Sequence, residues 1–228
     1  MTPVAVVIPA GGSGKRMGGE APKQWLVHRG KSLLEWSLLP FLELGSRLNC
    51  IVVPLPKNIF EHPPEWLLAM ADRVILCEGG ETRQDSVHEG FYQLVLRGLQ
   101  GSIWLVHDAA RPLLDPRDLN RLIDKIEHTQ DGALLALPVR DTIKRSNREG
   151  EVVGTVDRSL LWQAQTPQGG PGHKLWAASL KAKSEQRSVT DDATLLEQSG
   201  HRIHLVEGHP LNFKITHPQD WELFQRLA

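Results

Sequence analysis

The residues with the clearest chemical meaning lie within the first twenty-four positions. A glycine-rich stretch, Gly11-Gly12-Ser13-Gly14-Lys15-Arg16, follows an apolar run at residues 4–8, and Pro22-Lys23-Gln24 comes shortly afterwards. Glycine lets a backbone approach a ligand closely, and free amides near the start of a helix bind anions. Because Arg16 and Lys23 add positive charge at the same place, the stretch predicts a loop that holds a nucleoside triphosphate by its phosphates. The alternative is a tight surface turn with solvated charges.

Two common phosphate-binding motifs do not fit this loop. A Walker A loop needs Ser or Thr after its Gly-Lys pair, whereas Arg16 follows Gly14-Lys15 here. The dinucleotide fingerprint needs a third glycine where this chain has Met17. The sequence therefore argues against a P-loop ATPase and against a nicotinamide-dependent dehydrogenase.

Asp108 is the candidate metal ligand. It follows an apolar run at residues 103–106, and an acid at the end of a buried strand near a phosphate loop suits Mg²⁺ that bridges triphosphate oxygens. The alternative is that Asp108 caps the following segment. The 10 histidines show no zinc-site spacing. Cys50 and Cys77 stand in apolar runs and are predicted to be buried thiols.

Composition limits the possible partners and location. The chain has 228 residues, enough for one α/β domain, and 26 Lys and Arg nearly balance 27 Asp and Glu. Without a polybasic field we expect no nucleic-acid partner. We find no apolar run long enough for a membrane span and no leader sequence, so we expect a cytoplasmic protein. Plastid stroma is the alternative if a transit peptide was removed.

Apolar patterning indicates alternating strands and helices. Helices are predicted at residues 33–42, 64–71, 86–95 and 116–128, and strands at residues 4–8, 50–55, 73–77, 103–106 and 133–137. The strand runs are continuously apolar, which is typical of a mostly parallel, helix-covered sheet that binds ligands at the strands' carboxyl ends. Residues 10–14, 79–83 and 107–111 all follow such strands. We predict a single Rossmann-like α/β domain over residues 1–228.

The last third of the chain departs from this alternation. Residues 162–168 read as extended and polar, and residues 203–206 and 212–215 as two late strands. Thr190 is predicted to cap a helix that carries acids in its first turn. Thr216 and Gln219 match a capping box at the start of the last helix.

Residues 139–158 are predicted to form a protruding β-hairpin. Two β-rich runs flank turn residues at 146–150, and the tip is highly charged. Because an isolated hairpin is marginally stable in water, it either folds back on the domain or packs on another subunit. We favour a dimerisation arm, and hence a homodimer.

A resemblance follows from the order of the motifs along the chain. The glycine loop resembles that of sugar-phosphate nucleotidyltransferases, and the whole set is similar to the 2-C-methyl-D-erythritol 4-phosphate cytidylyltransferase family. The matching blocks include Ala10-Gly11-Gly12, Pro22-Lys23-Gln24, Asp85-Ser86-Val87, His107-Asp108-Ala109-Ala110-Arg111-Pro112, Asp141-Thr142-Ile143-Lys144, Val156-Asp157-Arg158, Thr166-Pro167-Gln168, Thr190-Asp191-Asp192 and Asn212-Phe213-Lys214-Ile215-Thr216. Each block alone is a weak signal, and the ordered set is specific.

The resemblance implies a reaction and a role for each motif. CTP would react with methylerythritol phosphate, with Mg²⁺ on Asp108, to give the CDP-linked alcohol and pyrophosphate in the non-mevalonate isoprenoid pathway. Catalysis would use Arg16, Lys23 and Lys214. The nucleotide would contact Ala10, Gly11, Gly12, Gly14, Gly80, Ser86 and Ala109. The second substrate would contact Arg111, Thr142, Arg158, Thr166 and Thr190, with Thr142 and Arg158 on an arm that crosses into the partner subunit.

The residue types agree with such chemistry. A phosphate monoester has a second pKa of about 6, so the nucleophile is mostly dianionic at neutral pH and needs no general base. The difficulty is charge repulsion, which alignment and cations can overcome. Two alternatives stay open: another polyol phosphate acceptor, such as ribitol 5-phosphate, and a non-catalytic nucleotide-binding module. The presence of Lys23, Asp108 and Lys214 counts against the second.

Overall fold

The computed structural model describes residues 1–12 and 22–228, so the predicted ligands Gly14 and Arg16 lie outside the described residues. Its strands are β1 (Val4–Val7), β2 (Val27–His28), β3 (Lys31–Ser32), β4 (Leu48–Leu55), β5 (Val74–Glu78), β6 (Ile103–Val106), β7 (Gly132–Pro138), β8 (Ile143–Ser146), β9 (Val152–Val156), β10 (Trp162–Pro171) and β11 (Ile203–Glu207). Its α-helices are α1 (Leu33–Leu42), α2 (Lys57–Glu61), α3 (Glu65–Leu68), α4 (Arg83–Leu96), α5 (Pro116–Thr129), α6 (Gly172–Ser184), α7 (Asp192–Gln198) and α8 (Pro218–Leu227).

The central sheet is mostly parallel, as predicted. Within the described chain it has seven strands in the order β11-β7-β10-β6-β1-β4-β5. Parallel pairing joins β6 to β1, β1 to β4, β4 to β5 and β7 to β11, and β10 is antiparallel to both of its neighbours. Because these strands are parallel, the carboxyl ends of β1, β5 and β6 lie at the same edge of the sheet.

Helices cover both faces of this sheet. Alternate residues of β1 enter two different core clusters, Val4 and Val6 on one face and Ala5 and Val7 on the other. The first cluster includes residues of α1 and α5, and the second includes residues of α4, α6 and α7. Burial on both faces explains why the strands read as continuous apolar runs rather than as alternating patterns.

Strand β10 accounts for the polar, extended residues 162–168. It runs between β6 and β7, where Gly169 pairs with Leu105 of β6. A Cβ at Gly169 would lie 2.1 Å from the carbonyl oxygen of Trp104, so only glycine allows this close approach.

Local signals account for the starts of the main helices. The Ser32 hydroxyl accepts from the Glu35 amide at the start of α1, and Thr82 with Asp85 forms a capping box at the start of α4. Helix α3 is shorter than the predicted 64–71 and covers Glu65–Leu68.

Two predicted caps are wrong by one residue. Asp191, not Thr190, accepts from the Thr194 amide at the start of α7. The capping box of α8 is formed by His217 and Asp220, not by Thr216 and Gln219. In each case the predicted residue and the residue after it both carry a side chain that can cap a helix. The local sequence therefore could not decide at which of the two the helix begins.

The predicted strand at residues 212–215 is also wrong, because this segment is irregular. The carbonyl of Asn212 accepts from Arg111 Nη1 at 2.7 Å, and the amide of Ile215 donates to the Ala110 carbonyl at 2.8 Å. These partners are a side chain and a loop, so the segment is held against the end of β6 without joining a sheet.

The hairpin at residues 139–158 forms its own small sheet. Strands β8 and β9 pair antiparallel, with Ile143 opposite Val156, and neither belongs to the central sheet. At its base the Val139 amide donates to the Leu161 carbonyl at 3.0 Å.

Across the described residues, no helix is long and apolar enough to cross a membrane.

Candidate functional site

A cleft of about 460 Å³ opens at the carboxyl ends of β1, β5 and β6. The residues that line it come from the loops after those strands and from two distant segments of the chain. Among the described residues they are Pro9, Ala10, Gly11, Gly12, Lys23, Gln24, Gly80, Glu81, Thr82, Arg83, Ser86, Asp108, Ala109, Ala110, Lys214 and Thr216. The cleft therefore brings together nine of the predicted site residues that the structure describes: Ala10, Gly11, Gly12, Lys23, Gly80, Ser86, Asp108, Ala109 and Lys214.

Gln24 holds the loop that follows β1. Its buried side-chain amide donates to the carbonyls of Ala10 at 2.7 Å and Gly12 at 3.0 Å. It belongs to a 3₁₀ turn, Lys23–Trp25, which also carries Lys23. The Lys23 ammonium donates to the Ile215 carbonyl at 2.6 Å, so it connects this turn to the segment that carries Lys214.

The second glycine loop faces the first across the cleft. A Cβ at Gly80 would lie 2.2 Å from Cβ of Asp85, so a side chain does not fit there. The Ser86 hydroxyl donates to the Thr82 carbonyl at 2.9 Å, which leaves its oxygen lone pairs available as acceptors. A Cβ at Gly11 would lie 3.7 Å from the Ser86 Oγ, so the two loops approach each other closely.

Asp108 lies in a cage of positive charge. Its Oδ2 is 2.9 Å from Lys214 Nζ and 3.5 Å from Arg111 Nε, and its Oδ1 is 3.3 Å from Arg83 Nε. Burial raises the pKa of this carboxyl, but the charges of Arg83, Lys214 and Arg111 outweigh burial and hold the pKa well below its usual range. Asp108 is therefore a permanent anion, and its side chain forms ion pairs instead of a helix cap.

Arg83 joins Asp108 to a second buried acid. Its Nη1 and Nη2 donate to the two carboxylate oxygens of Asp192 at 3.2 and 2.7 Å. Burial lowers the pKa of Arg83, but the charges of Asp192 and Asp108 raise this pKa by a larger amount, so the guanidinium stays charged. Burial is the main reason that the pKa of Asp192 is raised.

His107 and Thr166 support the backbone of Asp108 from behind. The Thr166 hydroxyl accepts from the Asp108 amide at 3.0 Å and lies 3.0 Å from His107 Nδ1, and His107 Nε2 donates to the Arg111 carbonyl at 3.0 Å. Burial lowers the pKa of His107 to about 4, so the ring is neutral near pH 7.

The five residues predicted to bind the second substrate all lie outside the lining of the cleft, as far as the structure describes it. Arg111 lies behind Asp108 with its side chain 11% exposed and donates to the Asn212 carbonyl, and Thr166 is buried. Thr190 is exposed just before α7. Thr142 and Arg158 are exposed on the hairpin, where the Arg158 guanidinium donates to the Arg140 carbonyl.

Sequence reasoning assigned no role to Gln24, Arg83, His107 or Asp192. Each stands inside a motif that was noted, beside a residue with a more obvious chemical meaning. The signal that the sequence offered for these four residues was a polar or charged side chain within such a motif. The partners could not be read, since Arg83 and Asp192 are 109 positions apart.

Comparisons with known proteins agree with one another. The model of the family described as IspD, 2-C-methyl-D-erythritol 4-phosphate cytidylyltransferase, matches residues 4–227. The relative of that name from Pseudomonas fluorescens (strain SBW25) is 44% identical over 223 residues, which are 95% of this chain and 92% of the relative. A further relative of that name, from Pseudomonas putida (strain KT2440), is 43% identical over 227 residues, 97% of this chain and 94% of the relative.

Solved structures of proteins with this name also superpose on the chain. The structure from Francisella tularensis has a TM-score of 0.83 at 29% identity, and all of both chains is covered. The structure from Thermus thermophilus has a TM-score of 0.81 at 32% identity, and covers 99% of this chain and 98% of its own.

Proposed function

The chain belongs to the 2-C-methyl-D-erythritol 4-phosphate cytidylyltransferase family, and we propose that the cleft between Lys23, Asp108 and Lys214 is where it joins CTP to methylerythritol phosphate. The family is one of nucleotidyltransferases of the non-mevalonate isoprenoid pathway, and the products are 4-diphosphocytidyl-2-C-methyl-D-erythritol and pyrophosphate. The observation that carries the assignment to this cleft is the convergence of both glycine loops, Lys23, Lys214 and Asp108 on a single cavity.

The chemical step is an in-line displacement at the α-phosphate of CTP. An oxygen of the acceptor phosphate forms a bond to the α-phosphorus, the bond to the bridging oxygen breaks, and its electron pair leaves with pyrophosphate. Because the nucleophile is already an anion at neutral pH, no side chain has to remove a proton. The protein must align two polyanions and stabilise the charge that develops as they react.

Lys23 and Lys214 would supply that positive charge. The contact of Lys23 with the Ile215 carbonyl supports this role, because it holds one lysine against the residue that follows the other. Lys214 lies in the cleft wall with about one-third of its side chain exposed. From its position beside Asp108, its ammonium can reach a phosphate bound in the cleft. Arg16 belongs to the same proposal, although it lies outside the described residues.

Ser86 and the glycine loops would select the cytosine base. The Ser86 hydrogen is committed to the Thr82 carbonyl, so its oxygen can accept from the exocyclic amino group of cytosine. Uracil presents a carbonyl oxygen at that position, which would face another acceptor. The close approach of Gly11 and Ser86 limits the space for a base, which favours a pyrimidine over the larger purine.

Asp108 is suited to bind Mg²⁺ only when the nucleotide is also bound. Among the described residues, no group of three or more His, Cys, Asp or Glu side chains could hold a metal by itself. Mg²⁺ usually takes one or two carboxylates and completes its shell with water and substrate phosphates, and Asp108 provides one such oxygen donor. Arg83 and Lys214 repel a bare cation at this place, and the triphosphate would offset their charge. When bound, the ion would neutralise phosphate charge.

The acceptor would be held on the Asp108 side and by the arm of a second subunit. Arg111 and Thr166 contact Asp108, and Thr190 lies two residues before α7, whose first residue Asp192 is joined to Asp108 through Arg83; these contacts support their assignment to the acceptor side. Thr142 and Arg158 would act in the partner subunit's site. Strand β9 exposes Val152 and Val153, which are 63% and 53% exposed, and contact with a second subunit would bury such apolar side chains.

Pyrophosphate release tests the proposed function directly. We expect release with CTP and methylerythritol phosphate, and much less with ribitol 5-phosphate as the acceptor or with ATP or UTP as the donor. Ser86→Ala should narrow the preference for CTP over UTP by about tenfold, the value of one hydrogen bond of roughly 1.4 kcal/mol. Ser102→Ala is the matched control, because that buried hydroxyl donates to the Leu99 carbonyl away from the cleft. Equal use of ATP and CTP would contradict the proposal.

A further inference from the structure

Arg83 joins the start of α4 to the start of α7 and to the segment that follows β6. It is the first residue of α4, and its guanidinium contacts Asp192 at the start of α7 and Asp108 after β6. The side chain lines the cleft and is 36% exposed. Neither Arg83 nor Asp192 has a part in the proposed chemistry described above.

The contacts of Arg83 use the planar shape of the guanidinium. Nη1 and Nη2 form a fork on the two oxygens of Asp192, which is 2% exposed, and this fork fixes the plane of the group. With the plane fixed in this way, the Nε–H group points at Asp108 Oδ1 at 3.3 Å. In the described part of the chain, the other cations at Asp108, Lys214 and Arg111, lie nearest to Oδ2. Arg83 therefore holds Oδ1, while Lys214 and Arg111 hold Oδ2, so the contact with Arg83 helps to fix the rotation of the carboxylate.

The anchor of this fork is itself held firmly. Gln168 donates to Asp191 Oδ2 at 3.0 Å and accepts from the Ala193 amide at 2.8 Å, so β10 fixes the first turn of α7 on both sides of Asp192. The fork in turn ties α7 to the glycine loop that precedes α4.

We propose that Arg83, clamped by Asp192, is a positioning residue that orients the Asp108 carboxylate toward the reacting phosphates. The inference rests on the proposed function and adds to it a link between the two sides of the site. The loop proposed for cytosine and the segment that carries Thr190 meet through this ion pair. Loss of the fork should therefore misplace Asp108 while CTP still binds.

Arg83→Lys tests the role of geometry, because it keeps the charge and loses the fork. In steady-state pyrophosphate release with CTP and methylerythritol phosphate, we expect kcat to fall by about 10- to 100-fold, as for misplacement of a reacting group by about 1 Å. The Kd for CTP, measured by calorimetry, should stay within threefold of wild type. Unchanged kcat would overturn the proposal, and a Kd that rises as much as kcat falls would make Arg83 a phosphate ligand instead.

Arg47→Lys is the matched control for loss of an arginine that joins two acids. Arg47 is 12% exposed and contacts Asp124 at 3.3 Å and Glu127 at 2.6 Å, away from the cleft. We expect this variant to lower the Tm while kcat stays at the wild-type value. A similar loss of kcat in both variants would mean that general loosening, not positioning, lowers activity.

Asp192→Asn tests the clamp from its other side. If the pair acts as a unit, this variant should lower kcat about as much as Arg83→Lys, and the double variant should lower it no further. Multiplied losses in the double variant would overturn the proposal. If Asp192→Asn does not fold, Arg83→Lys and its control decide the matter. Wild-type protein that releases no pyrophosphate would instead refute the proposed function, which separates the two failures.

Discussion

His107 should make the folded protein lose stability as the pH falls. The ring is fully buried, and because the Arg111 carbonyl can only accept, Nε2 must carry the proton and Nδ1 accepts from Thr166. Burial lowers the pKa of this ring from 6.5 to about 4, although the Arg111 carbonyl and Asp108 favour the charged form. Protonation would therefore disturb the support beneath Asp108.

The size and sign of the effect follow from this pKa. Below about pH 6.5 the unfolded chain binds a proton that the folded protein does not take up until about pH 4. The free energy of unfolding should thus fall by about 1.4 kcal/mol per pH unit across this window, and by about 3 kcal/mol in all. Between pH 7 and pH 5 the loss should be about 2 kcal/mol.

His107→Gln isolates the contribution of this group. The glutamine amide offers one donor and one acceptor and gains no proton between pH 7 and pH 4. Urea unfolding of both proteins at several pH values measures the difference in free energy, which should shrink by about 2 kcal/mol from pH 7 to pH 5. His128→Gln is the control, because His128 is exposed on α5 and its ring contacts a carbonyl of its own helix at 2.8 Å. A difference between wild type and His107→Gln that stays constant with pH would refute a buried neutral ring.

The remaining predictions concern the chemistry and the arm. Lys23→Ala and Lys214→Ala should each lower kcat far more than CTP affinity, by roughly 3 kcal/mol in activation free energy, and unchanged turnover in a folded variant would remove that lysine from the mechanism. Chelation should abolish activity, and Asp108→Asn should need much more Mg²⁺ for half-maximal rate; a wild-type Mg²⁺ dependence would exclude Asp108 as the ligand. Mixing Arg158→Ala chains with Lys23→Ala chains should restore roughly one intact site in four if Arg158 acts in the partner subunit's site, and no recovery after verified subunit exchange would contradict the arm proposal.

Residue patterns were enough to predict the mostly parallel sheet and the edge at which ligands bind. Continuous apolar runs such as β1 can be buried only between two layers of helices, and parallel strands bring the loops after them to one edge. Lys23, Gly80 and Asp108 could therefore be assigned to one site, because each follows such a strand or stands in a motif beside it. This information is local, since it depends on residue types within a few positions of one another.

Which side chains meet, in contrast, could be read only from the folded chain. The irregular course of residues 212–215, the burial of Thr166 behind Asp108 and the fork between Arg83 and Asp192 all depend on partners far away in the chain. An irregular segment satisfies its backbone groups with whatever donors and acceptors the fold brings alongside it. A charged side chain likewise finds its partner through topology, which places the starts of α4 and α7 together although 109 positions separate the two residues of the ion pair.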